Sequence, residues 1–232
     1  MVFIYGRYFF VAHRLLFSLL PWIRRVLADK TAVPGVTPMS IDYQGFAVSL
    51  APYCDLPDTM VQAIMDLAAP DLGRGYLDRS TMESSHRVVA YALHDSGRLA
   101  GFAMGRAMTG QQYVREHPTA DRAIQRLGDI GGLAETVVVS PDARGCGLGT
   151  RLMNDVCAHI AARSKVPLVL PALRRHDGSV PADGLARRLG FVPYALVNDY
   201  WFADSCVRGY MCPSCGNPCR CAAHLYVCPN PV

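Results

Sequence analysis

The stretch "AETVVVSPDARGCGLGTRLMNDVCAHIA", Ala134 to Ala161, reads as a strand, a glycine-rich turn and an amphipathic helix in direct succession. Four of the six residues from Glu135 to Ser140 are β-branched, and Pro141-Asp142 supplies turn chemistry. Past the turn, Leu148, Leu152, Val156 and Ile160 recur every fourth residue, which predicts a helix packed on a sheet. Between them lies Arg144-Gly145-Cys146-Gly147-Leu148-Gly149. Its glycines permit positive φ and close backbone approach. The first helical amides, left unpaired, and the helix dipole attract an anion such as a pyrophosphate, and Arg144 adds a full charge.

Spacing separates the phosphate loops that fit this description. A P-loop needs Lys followed by Ser or Thr after its last glycine, whereas Thr150-Arg151 follows Gly149. A dinucleotide fingerprint needs Gly-x-Gly-x-x-Gly, and Gly145-x-Gly147-x-Gly149 has the wrong last interval. Arg/Gln-x-x-Gly-x-Gly/Ala after a strand that ends in a proline turn fits Arg144, Gly147 and Gly149. On these residues the chain resembles the GNAT superfamily of acyl-CoA-dependent N-acetyltransferases. The resemblance implies an α/β (α+β) fold, with a central mixed, mostly antiparallel sheet flanked by helices. It implies acetyl-CoA as cosubstrate, held by Val137, Val138 and Val139 of the strand and by Arg144, Gly145, Cys146, Gly147, Leu148, Gly149 and Thr150 of the turn.

The rest of the chain agrees with that body from Met39 to about Asp204. Val88 to His94 and Leu99 to Met108 read as a hairpin about Asp95-Ser96-Gly97. A helix is expected to begin near Pro57, a short strand at Val166 to Leu170, and a helix from about Pro181 to Leu189, ending in Gly190-Phe191 before a last strand pair. An insertion from Thr109 to Gly132 carries a helix predicted over Pro118 to Leu127 and is a candidate for substrate contacts.

Amide formation requires a neutral amine to attack a thioester, so a proton must be removed. The resemblance points to Glu135 as base, and its apolar neighbours Ala134, Thr136 and Val137 predict a raised pKa if it faces the cleft. A strand amide, that of Val138, is the expected donor to the thioester carbonyl. The family's usual proton-donating tyrosine falls at Ala186, which leaves Tyr194 and Tyr200 as substitutes for protonating the leaving thiolate.

Six of nine cysteines fall between Cys206 and Cys228. Cys212-x-x-Cys215-Gly followed by Cys219-x-Cys221 has the shape of a zinc knuckle, with His224 as the main substitute ligand. Four thiolates make a closed, structural site, here expected to staple a small C-terminal tail over residues 206–232. An odd cysteine count and an intracellular cosubstrate disfavour a disulfide framework and suggest a cytoplasmic protein.

The first 30 residues carry five cations against one acid, a net +4 that equals the charge of the whole chain. No uninterrupted apolar run there is long enough to span a membrane. Residues 1–38 read as a basic, apolar extension and linker, suited to surface packing or weak membrane-surface contact, ahead of a domain over 39–205. A hydrophobic fraction of 51% with 18% charged residues describes a globular core. The sequence leaves the acceptor open among small amines and proteins; a neutral body disfavours broad nucleic-acid contact. A non-catalytic CoA-binding interaction module with a zinc-stabilised partner surface is the alternative, together with a GNAT acting on RNA or DNA.

Overall fold

The computed structural model describes residues 41–79, 82, 86–162, 166–175 and 177–229. The extension over 1–38, with its expected surface role, lies outside the described residues. Among those residues one eight-stranded sheet carries the fold: β1 Ile41–Tyr43, β2 Phe46–Pro52, β3 Arg87–Leu93, β4 Leu99–Ala107, β5 Gly132–Val139, β6 Leu168–Arg174, β7 Val192–Val197 and β8 Ala222–Cys228. The order across it is β1-β2-β3-β4-β5-β6-β8-β7. Every neighbouring pair is antiparallel except β5 with β6. Six helices within the described residues accompany it: α1 Asp58–Leu72, α2 Gly110–Glu116, α3 Asp121–Leu127, α4 Leu148–Ala161, α5 Asp183–Arg188 and α6 Phe202–Arg208.

The periodicity of α4 is realised as read. Leu148, Leu152, Val156 and Ile160 are all buried, against Ala90, Ala92, Ala103 and Ala134 of the sheet. On the other face Val61, Ile64 and Ala68 of α1 pack on Val89, Phe102 and Met104. Strand β4 is thus covered on both sides and is buried from Leu99 to Arg106. That explains its nearly continuous apolar run, the pattern of a strand with no solvated face. The 109–132 insertion holds one more helix than expected. Thr109 caps α2 by accepting from the Gln112 amide while the Gln112 side chain accepts from the Thr109 amide, a capping box legible as Thr-x-x-Gln.

The C-terminal segment departs from the expected tail. Strand β8 lies between β6 and β7, pairing Leu170 with Tyr226 on one side and Ala195 with Leu225 on the other. The expected last strand pair is therefore β7 with β8, and the cysteine-rich segment is a connection inserted between them. The boundary drawn at 205/206 is no break in the fold, because the chain beyond it supplies an interior strand. No helix among the described residues is long and apolar enough to cross a membrane. Because Leu225 is fully buried, Leu225→Ala is expected to cost about 2–5 kcal/mol in urea unfolding, where a dispensable tail would show no effect.

Candidate active site

Strands β5 and β6 pair only at Gly132–Leu168 and Leu133–Val169 and then separate. From Ala134 onward one edge of β5 is open. The Ser140 amide donates to Ala100 on β4 at 2.8 Å. Because bonded and non-bonded residues alternate along an antiparallel pair, the Val138 and Thr136 amides also face β4, and those of Val137 and Val139 face the gap. The Val138 amide is thus excluded as the donor to a ligand in the gap. The Val139 carbonyl, which also points away from β4, accepts from Arg144 Nε at 2.8 Å.

At the end of β5, Gly145 and Gly147 take φ of +86° and +83°. Gly147 is the N-cap of α4 and no side chain caps it. The first helical bond runs from the Arg151 amide to Gly147 at 3.0 Å, so the amides of Leu148, Gly149 and Thr150 have no partner within the helix. A Cβ on Gly147 would stand 3.1 Å from the Tyr43 hydroxyl, which itself donates to the Cys146 carbonyl. The Arg144 guanidinium donates to the Val139 carbonyl and pairs with Asp71, each at 2.8 Å. A second cation, exposed Arg188, has its Nε 3.4 Å from the Thr150 hydroxyl.

A cavity of about 200 Å³ opens at the other end of β5. Glu135 and Thr136 of β5 border it, with Pro171 across the gap on β6. Glu135 is the bulged residue of β5: Met104 pairs with Thr136 and Gly105 with Ala134, so nothing stands opposite it and its side chain is re-aimed. The apolar surroundings expected for Glu135 are absent. Arg87 grips its carboxylate with two bonds of 2.7 and 3.1 Å, and Arg106 Nε lies 2.7 Å from the first-held oxygen's partner, Oε1. Arg106 also pairs with Glu116. Two guanidiniums thus bracket the carboxylate and fix its position.

His117, just past α2, lines the same cavity and stacks on Tyr200 with centroids 4.6 Å apart. Burial, only partly opposed by Glu116, holds its pKa below the ordinary 6.5. Tyr200 reaches the cavity with its ring, but its hydroxyl is shared with Tyr113 at 2.7 Å, and burial pushes its pKa well above 10. Tyr194 is not part of the cavity wall. Its hydroxyl donates to the Ala123 carbonyl of α3 at 3.2 Å, and Tyr194 itself sits at the register irregularity of β7, between Pro193 and Ala195. The remaining wall adds Tyr76 from the segment after α1, Trp201, Asp204 and Arg208 at α6, and the aliphatic side chains of Leu77, Met82, Met104 and Leu133. Sequence reading missed Arg87, Arg106, His117 and this wall. A signal existed for the arginines, since each sits at one end of an otherwise apolar hairpin strand.

The sulfurs of Cys212, Cys215, Cys219 and Cys221 lie within 4.8 Å of one another. Neighbouring pairs are 3.4, 3.7 and 3.8 Å apart. A tetrahedral ion with 2.3 Å bonds to sulfur needs an edge of about 3.8 Å, so the four thiols fit one. His224 does not join them: it sits mid-strand in β8, paired with Ala172 and Leu196.

Residues 60–191, more than half the chain, match the acetyltransferase (GNAT) family. The chain belongs to that family. It is an acyltransferase, and acetyl transfer from acetyl-CoA is the activity this membership supports. Among solved structures it is similar to Naa20 of Chaetomium thermophilum in complex with a bisubstrate analogue, at 17% identity and a TM-score of 0.53, over 79% of this chain and 86% of that one. A phosphinothricin acetyltransferase from Sinorhizobium meliloti in complex with AcCoA matches at 17% identity and a TM-score of 0.49, over 79% and 88%. The ribosomal-protein-S18-alanine N-acetyltransferase of Escherichia coli does so at 17% and 0.49, over 80% and 95%. No curated protein matches the chain in sequence.

With Arg87, Arg106 and Glu135 each about nine-tenths buried, Glu135→Ala is expected to deprive two buried arginines of their shared carboxylate and cost about 3–5 kcal/mol in denaturant unfolding. A loss under about 1 kcal/mol would show that the cluster is solvated.

Proposed function

We propose that this enzyme is an acetyl-CoA-dependent N-acetyltransferase whose acceptor, a primary amine on a small molecule or a protein, enters the cavity beside Glu135. The open edge of β5 carries the reading, because it joins that cavity to the α4 turn in one continuous track. The amides of Leu148, Gly149 and Thr150, with Arg188 nearby, hold the pyrophosphate. The gap-facing amides of Val137 and Val139 hold the thioester arm and stabilise its developing oxyanion. Glu135, fixed by Arg87 and Arg106, draws the ammonium in. His117, neutral at pH 7, takes the proton from the attacking nitrogen. The new C–N bond forms as the C–S bond breaks, and the nitrogen's second proton passes through water to the departing thiolate. Tyr200 supports His117 by stacking and does not act as the acid.

Cys212, Cys215, Cys219 and Cys221 hold one zinc ion in a closed structural site, which would supply folding energy and no Lewis-acid step.

Gly147→Ala places a side chain at positive φ against Tyr43, a strain of about 1–3 kcal/mol. Calorimetry should show acetyl-CoA binding weakened about tenfold or more. His117→Phe should lower kcat about 100-fold or more with acetyl-CoA affinity unchanged, assayed on a panel of small amines and peptides. Since the neutral imidazole is the working form, kcat of the parent enzyme should fall only as pH drops below the ordinary histidine value of 6.5. An unchanged kcat in His117→Phe would remove His117 from the mechanism.

A further inference from the structure

The cysteine cluster is tied to one half of the cavity by contacts on every side. Met211, next to the first ligand, donates its amide to the Arg74 carbonyl. A Cβ on Gly73, whose φ is +100°, would overlap the Met211 carbonyl oxygen, so only glycine lets the knuckle seat there. Tyr210 meets Tyr76 edge-on at 5.2 Å between centroids, and Tyr210, Cys219 and Cys221 form one buried cluster against which Tyr76 and Trp201 pack. Asn217, inside the knuckle, donates to the carbonyls of Ser205 and Tyr210 at 2.8 and 2.9 Å, and the Cys219 amide donates to the Ser205 hydroxyl. The Tyr200 amide donates to the Cys221 carbonyl.

Arg208 then bolts α6 to the 73–78 segment. Its guanidinium donates to the carbonyls of Gly75 and Tyr76, pairs with Asp204 at 3.3 Å, and lies between the rings of Tyr76 and Tyr210. None of these contacts involves Val137 to Thr150. The groups so held are the cavity wall itself: Tyr76, Leu77, Tyr200, Trp201, Asp204 and Arg208.

From this we infer that the metal knuckle builds the acceptor half of the active site, so that metal occupancy sets the acceptor cavity while leaving the acetyl-CoA half intact. The inference rests on the zinc reading above. The ten residues from Cys212 to Cys221 bring few apolar side chains besides the cysteines themselves, so an ion holding the four sulfurs would be the chief restraint on the loop. Losing the ion frees Met211 and Tyr210, and with them the clamp on Gly73 to Leu77.

The test uses the full chain and no acceptor. Metal content by mass spectrometry comes first, with one equivalent of zinc expected; a metal-free folded protein overturns the zinc reading and this inference together. Hydrogen exchange with zinc bound and after chelation should then show at least tenfold faster exchange over 74–77 and 200–210, with β5 and α4 unchanged and acetyl-CoA affinity within threefold. Zinc-bound protein whose exchange over 74–77 is indifferent to chelation overturns the inference alone, as does a parallel loss of acetyl-CoA affinity. Should chelation unfold the chain, Arg208→Gln and Gly73→Ala decide: each should retain zinc and acetyl-CoA binding yet expose 74–77. Protection of 74–77 in both variants overturns the coupling.

Discussion

Arg87 and Arg106 are register partners on β3 and β4, two like charges facing each other across a strand pair that is otherwise apolar. Such a pair is repulsive by itself, and both arginines are nearly buried, so each needs an anion. Glu135 supplies one carboxylate to both, and it can do so because the bulge in β5 turns its side chain out of strand alternation. Three strands are thereby locked together at the point where β5 begins to leave β6. The fixed anion, the bulge and the open edge have one origin: the third strand must reach the arginines before it can diverge.

Divergence has its own consequence. An edge of backbone amides and carbonyls with no neighbouring strand invites a partner, and the alternation of β5 leaves Val137 and Val139 to present theirs. Arg144 satisfies the Val139 carbonyl from inside the chain, so at that residue the edge presents its amide. The same strand then runs into the Gly145–Gly147 turn, where positive φ at two glycines aims the first amides of α4 the same way. Donor groups along the edge and at the helix end suit a long, oxygen-rich, anionic ligand.

The two ends of the cleft are built by different means. The α4 end is made of backbone, short in sequence and rigid. The cavity end is assembled from widely separated segments: the arginines of the hairpin, Glu135 of β5, Pro171 of β6, Glu116 and His117 at the end of α2, the 76–77 segment and α6. Family membership covers 60–191 and so stops before that connection.

The strand, the glycine turn and α4 were legible because their signals are local: β-branching, positive-φ glycines and a four-residue apolar period each act within a few residues. The four cysteines were legible for the same reason, since a knuckle is closed by neighbours in sequence. His224 was misassigned because its nearness in sequence counts for nothing once β8 extends it along a strand. The tail was misread for a related reason, as nothing local in Ala222 to Cys228 says that it fills a vacancy between β6 and β7. By itself the sequence determined the family, the glycine turn and the grouping of the four cysteines. Tertiary structure alone decided the environment of Glu135, the place of His117 and the attachment of the knuckle to the cavity. These depend on register, on a one-residue bulge and on contacts between segments more than a hundred residues apart, and none of the three leaves a periodic trace in the chain.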